Sequence, residues 1–291
     1  MNPIKAINDY YEMTMSYNKK STNFIHSYTV RSLIECMNHL EITNLRKIDF
    51  ETGYKIVRYF KENTGKNNDT INRALMYLKR VIKHNDIANP FLRFKNLPLD
   101  TQSFKRIYHE DLKTIVQYVQ TMKLSKNSIV YRAMIFLLLD SGMRISELIN
   151  IKIGNIDFSS TPYKILLENT KNGKQRYAPF SDFSKSYILE LAQLEPNRSY
   201  LFWNLLKDRQ LNKNDVRQFY KRLSESLHID RIHSHRFRKT FASLLIENGM
   251  PIEQLQSLFG HSRISTTMIY VQYKETKALT TYSAYNNWSV N

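Results

Sequence analysis

Four short patterns in this 291-residue chain bring cations, imidazoles and a tyrosine together in a way that suits phosphate chemistry. The first is Asp140-Ser141-Gly142-Met143-Arg144-Ile145-Ser146-Glu147-Leu148. An arginine just after a helix-ending glycine starts the next helix, among unpaired backbone N–H groups that can meet a phosphate. Glu147, one turn on, can hold Arg144 by an i,i+3 contact. The second is Lys171, ahead of Asn172-Gly173. A lysine on a tight β-turn reaches into a groove and can deliver a proton. The third is His233-Ser234-His235-Arg236-Phe237-Arg238-Lys239-Thr240-Phe241-Ala242. His235 and Arg238 lie three apart, and His233 with Arg236 offers the same spacing, so spacing alone does not choose between them. The fourth is Leu258-Phe259-Gly260-His261-Ser262-Arg263-Ile264-Ser265-Thr266-Thr267-Met268-Ile269-Tyr270. Gly260 ends a helix, His261 follows it, and Ser265 to Thr267 can cap the helix that carries Tyr270.

Taken singly, each pattern has a plain reading: a surface ion pair, a solvated turn lysine, a capping histidine, one tyrosine among 19. Together they supply what phosphodiester transfer needs. A nucleophile must stand in line with the leaving oxygen, cations must hold the non-bridging oxygens, and a donor must protonate the leaving alkoxide. A tyrosine can store the bond as a covalent phosphodiester, so rejoining needs no nucleotide.

Composition narrows the field in the same direction. The seven glycines are never closer than eleven positions, which excludes G-x-G-x-x-G, and neither Gly-Lys pair completes a Walker A loop. The single cysteine, Cys36, excludes an intramolecular disulfide and a cysteine-cluster zinc site. Neither a cofactor nor a metal is expected. The net charge is +17, with +6 over residues 1–100 and +11 over the rest, so both parts are basic and a polyanion is the expected partner. With no apolar stretch of about 18 residues and no signal-like start, a cytoplasmic protein without a membrane partner is expected.

The elements that must position these residues are mostly helical. The first 85 or so residues read as a helical bundle with a basic face. Ser21 or Thr22 caps one helix, Asp49 a second and the Asn68–Thr70 stretch a third. Residues 86–107, with Pro90, Pro98, polar groups and scattered Lys and Arg, break the helical pattern, and 91–107 read as a linker between a helical domain over 1–90 and a second domain over 108–291. In the second domain, helices are expected over 109–120, from Ser128 to a stop at Gly142, and again from Arg144. YKILLENT and KQRYAPF flank Asn172-Gly173 as a β-hairpin. Further helices follow over 182–194, 214–227, 235–248, 251–259 and 265–275. The fold class is mainly α with a small antiparallel β-sheet.

The four blocks occur in order as G-M-R-I-S-E-L, T-K-N-G-K-x-R-x-x-P, H-x-x-R-K-T-F-A and L-F-G-H-S-x-x-S-T-T-x-x-Y. In this the second domain resembles the tyrosine recombinase (phage integrase) family, in its simple Xer-like two-domain form. The family's register selects His235 with Arg238, because Thr240-Phe241-Ala242 follows, and selects Lys171 over Lys174. The resemblance implies a SAM-like helical core-binding domain, then an α+β catalytic domain, closing as a C-shaped clamp on duplex DNA. It implies that Tyr270 attacks the scissile phosphate and forms a 3′-phosphotyrosyl link. It implies that Arg144 and Arg238 bind the non-bridging oxygens and Lys171 protonates the 5′-oxygen. His235 would assist proton transfer or orient the phosphate, His261 would donate a hydrogen bond to it, and Glu147 would support from behind. Phe237 and Lys239 depart from the commoner Leu and His, outside these roles.

The implied partner is double-stranded DNA bearing an inverted-repeat site. A dimer would bind each site, and a homotetramer on two sites would exchange strands through a Holliday junction, with an accessory protein possible. The implied setting is nucleoid-associated, in a bacterium or encoded by a phage or mobile element. Two other readings share parts of the pattern: a monomeric type IB topoisomerase-like enzyme without site preference, and a DNA-binding module that has lost catalysis.

Overall fold

The structure, a computed structural model, describes residues 1–18, 20–98, 106–123, 125–168, 170, 173–194 and 198–271. The chain divides into two compact units, Met1–Ser103 and Phe104–Asn291.

The first unit holds α1 (Pro3–Met15), α2 (Lys20–His39), α3 (Phe50–Thr64) and α4 (Asn68–His84). Asp49 caps α3 through Thr52, and Asn67 caps α4 by accepting from the Thr70 N–H, one residue before the expected stretch. The helix α1 is absent from the sequence reading. Its apolar stripe is short, with Ala6 and Ile7 its only buried aliphatics, but Asn2 caps it and Pro3 sits at its first turn. Leu33, Cys36, Ile56, Phe60, Leu75 and Leu78 fill the core. Burial pushes the Cys36 thiol up to about 12, so it is an inert packing residue. Past α4, Phe91 and Phe94 also pack into this core.

The second unit opens with α5 (His109–Thr121) and α6 (Ser128–Ser141). Apolar nearly all round, α6 is buried on most of its circumference. It packs against α8 (Asp182–Gln193) and α10 (Ser234–Glu247). Between α6 and α8 come the single turn α7 (Ile145–Leu148) and the strands β1 (Ile156–Asp157), β2 (Tyr163–Leu167) and β3 (Arg176–Phe180). These strands form an antiparallel sheet in the order β1-β2-β3. The strands β4 (Trp203–Asn204) and β5 (Arg209–Gln210) make a second small sheet, followed by α9 (Lys213–Leu227) before α10. The chain continues through α11 (Ile252–Phe259) and α12 (Ser265–Met268). The fold is therefore mainly α with small antiparallel sheets.

Two elements differ from their expected extent. The β2–β3 ladder ends at Leu167 opposite Arg176, so the paired strands are shorter than the runs expected to reach Thr170 and to resume at Lys174. Gly173 does turn, at φ +74°, and its N–H donates to the Thr170 carbonyl at 3.1 Å. The final helix runs only over Ser265–Met268. The N–H groups of Tyr270 and Val271 then bond three residues back, each at 3.0 Å, a tightening that ends the helix.

Gly142 shows how closely the site is built into the core. It closes α6 at φ +57°, and a Cβ there would lie 2.2 Å from the Phe241 ring on α10. Gly142→Ala combines left-handed strain with overpacking, each about 1–3 kcal/mol. Thermal unfolding should show a loss of at least about 2 kcal/mol, whereas Gly173→Ala, with open space around it, should lose only the strain part.

Candidate active site

The turn that ends α6 is tied to α10 by one buried cation. Arg238, on α10, is 2% exposed and donates from Nη1 to the Gly142 carbonyl at 2.6 Å. Its Nη2 reaches the Phe259 carbonyl at 3.5 Å and His261 Nε2 at 3.2 Å, and its guanidinium lies 3.6 Å over the Phe259 ring. Gly142 and Gly260 both take the left-handed C′ conformation that ends a helix, at φ +57° and +62°. Those two helix ends bring Arg144 and His261 to the same groove of about 1000 Å³, which Arg144, Lys174, Arg176, Gly260 and His261 line.

His261 has its tautomer set by its neighbours. A guanidinium can only donate, so Nε2 accepts from Arg238, and the ring proton sits on Nδ1. Nδ1 then donates to Thr267 Oγ1 at 2.9 Å, and Thr267 is fully buried. Tyr270 packs its ring at 6.4 Å from His261, nearly parallel, and edge-on to Phe259 at 5.6 Å. Phe241, Ala242, Leu255 and Phe259 complete its apolar surroundings, and the tyrosine is 3% exposed.

Arg144 begins α7. Its backbone N–H and its Nη1 both bond Glu147, at 2.7 and 2.9 Å. Glu147 has a side chain only 1% exposed and also receives Arg176 Nη2 at 2.7 Å. Burial alone would raise this carboxyl, but Arg176 and then Arg144 hold it below the usual carboxylate range. His235 sits in the first turn of α10, open to solvent on one side. The alternative pair separates: Arg236 donates to the Asp230 and Arg106 carbonyls. Arg236 is thus a brace for the backbone, while Arg238 faces His261. Lys171 lies outside the described residues, and Lys174 lines the groove. Among the described residues no group of three or more His, Cys, Asp or Glu is gathered for a metal ion, and no helix is long and apolar enough to cross a membrane.

The electrostatics mark the place as short of an anion. Burial first, then Arg144, lowers Arg238 to about 10, so it stays charged at neutral pH. Protein packed on one edge of His235, with Lys239, His233, Arg238 and Arg144 nearby, lowers it to about 4. Burial, Arg238, Arg144 and Arg176 bring His261 to about 4 as well. Both imidazoles are neutral at pH 7, and an arriving phosphate would favour their protonated forms.

This has a sign in stability. In the unfolded chain a histidine takes its proton near 6.5, while His235 and His261 resist it until about 4. As pH falls from 7 to 4 the unfolded state binds protons first, so stability drops across that window. Urea midpoints should fall from pH 7 to pH 4.5, and a His235→Asn/His261→Asn double variant should flatten the slope. His233, shifted the same way, leaves some of it. An unchanged slope would refute the assignment.

Two residues here have no role in the sequence reading, Arg176 and Phe259, and Thr267, read there as a helix cap, holds His261 Nδ1 instead. Arg176 did carry a signal, since strand alternation puts it on the inward face with Ala178 and Phe180.

Comparison with known proteins bears on what such a site does. Residues 105–277 match the phage integrase family. The chain is 48% identical over its full length, and the full length of the relative, to a probable integrase/recombinase of Acholeplasma phage L2. It is 29% identical to the tyrosine recombinase XerC of Staphylococcus epidermidis, over 90% of this chain and 92% of that protein. Among solved structures, the Tn1549 transposon integrase in complex with transposon right end DNA superposes with a TM-score of 0.78. That match has 19% identity and covers 98% of this chain and 99% of the integrase. A lambda integrase dimer bound to a COC′ core site gives a TM-score of 0.73 at 14% identity, over 99% of this chain and 79% of that one.

Proposed function

The chain belongs to the phage integrase family, and on that premise we propose that it is a site-specific DNA recombinase cutting and rejoining duplex DNA through a 3′-phosphotyrosyl intermediate. The observation that carries the reading is the convergence of Arg238, His261 and Tyr270. One guanidinium bonds the imidazole, and that imidazole stacks on the phenol ring. Arg144 is close enough for its charge to act on Arg238 and both histidines.

In the proposed reaction Tyr270 Oη, giving up its proton to His235 or to water, attacks the scissile phosphorus as the 5′-oxygen leaves. The new P–O bond to tyrosine replaces the one to the 5′-oxygen, so the number of phosphodiester bonds is conserved. Arg144 and Arg238 hold the two non-bridging oxygens, whose charge grows in the transition state. Lys171 delivers a proton to the 5′-oxygen. His235 assists proton movement or orients the phosphate, and His261 donates a hydrogen bond to it from Nε2 once Arg238 has turned from the imidazole to the phosphate and Nε2 has taken up a proton. Attack by a 5′-hydroxyl of a partner strand reverses the steps, which is why no nucleotide is consumed.

The partner is duplex DNA, drawn by the +17 charge. A dimer occupies each inverted-repeat site, and two sites meet in a tetramer that resolves a Holliday junction, with or without an accessory protein. The setting is the cytoplasm of a bacterial cell, on chromosomal, phage or mobile-element DNA.

The test is capture on a suicide duplex, nicked so that the fragment beyond the scissile phosphate is lost after cleavage. A covalent adduct should form, and peptide mapping should place the nucleotide on Tyr270. An adduct on another tyrosine, Tyr273 first, would overturn the nucleophile. Tight binding with no adduct would point to a module that has lost catalysis. Relaxation of supercoils by a monomer without site preference would point to a topoisomerase.

A further inference from the structure

We propose that Arg176 is the positioning residue for Arg144, acting through Glu147 and through the carbonyl of Leu258. The inference rests on the proposed role of Arg144 as a phosphate cation.

A buried arginine on a strand is costly unless its donors are met. The Arg176 side chain is 9% exposed, and it stands on the inward face of β3. Its Nη2 donates to Glu147 Oε2 at 2.7 Å and its Nη1 to the Leu258 carbonyl at 2.8 Å. Glu147 divides its two oxygens accordingly. Oε2 takes Arg176 and the Arg144 backbone N–H, and Oε1 takes Arg144 Nη1. With half of the carboxylate charge answered by Arg176, Arg144 is bound at one nitrogen, and its partly exposed side chain lines the groove. Without Arg176 the buried carboxylate would keep Arg144 as its one ion-paired cation among the described residues. It would draw the guanidinium further in, or take up a proton and release it from its orientation.

The second bond extends the effect. Leu258 lies two residues before Gly260, and an added Cβ on Gly260 would sit 3.1 Å from Arg176 Cδ. One side chain therefore spans the turn that presents Arg144 and the turn that presents His261. Only a planar fork reaches both acceptors. A lysine has a single nitrogen and cannot bridge them.

The experiment compares Arg176→Gln and Arg176→Lys with the parent on two suicide duplexes. One carries the native scissile phosphate, and the other a methylphosphonate there, which lacks the anionic oxygen. Both variants should cleave native DNA about 10²-fold more slowly, the order expected for a misplaced charge. Duplex affinity should stay within about twofold. On methylphosphonate the loss should shrink to about threefold or less, because a neutral phosphorus centre asks less of Arg144. Arg144→Ala/Arg176→Gln should be no slower than Arg144→Ala alone. Glu147→Gln keeps both arginines and should show the same selective loss, which covers the case of an Arg176 variant that folds poorly. Equal losses on both duplexes, or multiplying losses in the double variant, would reduce Arg176 to a structural brace and overturn the proposal. A full-rate Arg144→Ala would instead sink the role of Arg144, and this inference with it.

Discussion

Tyr270→Phe should abolish the covalent protein–DNA adduct while leaving duplex binding and folding close to the parent. The variant removes one oxygen and nothing else. The ring keeps its edge-on contact with Phe259 and its stack on His261. With Tyr270 3% exposed, most of its contribution to the fold is ring burial that phenylalanine preserves. The stability change should stay near the value of one hydrogen bond, about 1 kcal/mol. Cleavage is different in kind, because no step of the proposed path exists without a nucleophile. Removal of a nucleophile costs on the order of 10⁴-fold or more in enzymes where it has been measured. Denaturing gels of the nicked duplex should show no adduct, while native gels show an unchanged shifted complex. An adduct that survives in the variant would reassign the nucleophile. A variant that fails to bind would show the ring misplaced, and the test would move to the rate of the parent with a phosphorothiolate leaving group.

How much of this was legible in the chain depended on the range of the interaction. The ends of α6 and α11 were readable because a glycine after an apolar helical stretch is a local signal, and both glycines take the left-handed conformation. The Asp49 cap was readable for the same reason, since its partner Thr52 is three residues away. Less visible was α1, whose buried face is too short to raise the helical period above its polar neighbours. The choice between Arg236 and Arg238 was invisible to spacing. What separates them is mostly distant in sequence: Arg236 bonds the carbonyl of Arg106, 130 residues away, and Arg238 bonds the carbonyl of Gly142, 96 residues away. Arg176 illustrates a signal that was present but unread. A charge on the inward beat of a strand requires a buried partner, and the partner, Glu147, had been paired only with Arg144.

Arg238→Gln should reduce cleavage by about 10³-fold or more, the scale of an arginine acting on a transferring phosphoryl group. The same variant should raise the pKa of His261. The rate argument follows from burial. At 2% exposed, Arg238 holds its charge in a place where water cannot replace it, so a neutral side chain leaves the growing transition-state charge unanswered. Arg238→Lys keeps the charge and should still lose more than about tenfold. One ammonium cannot hold the Gly142 carbonyl while also reaching the His261 side. The pKa argument has a definite sign. His261 is held at about 4 by burial first and by Arg238 second, with Arg144 and Arg176 behind. Taking away Arg238 removes the nearest cation and frees Nε2 to be protonated, so the imidazole should titrate above 4. It should stop short of 6.5, because burial and the other two arginines remain. A histidine proton titration followed by NMR would read this directly, with His261→Asn identifying the resonance. The two outcomes are linked: the guanidinium that helps keep His261 neutral is the one that, in the proposed reaction, turns to the phosphate when DNA arrives. A slow variant whose His261 still titrates near 4 would mean that burial and the other two arginines suffice to depress the imidazole, and the coupling between Arg238 and His261 would have to be given up.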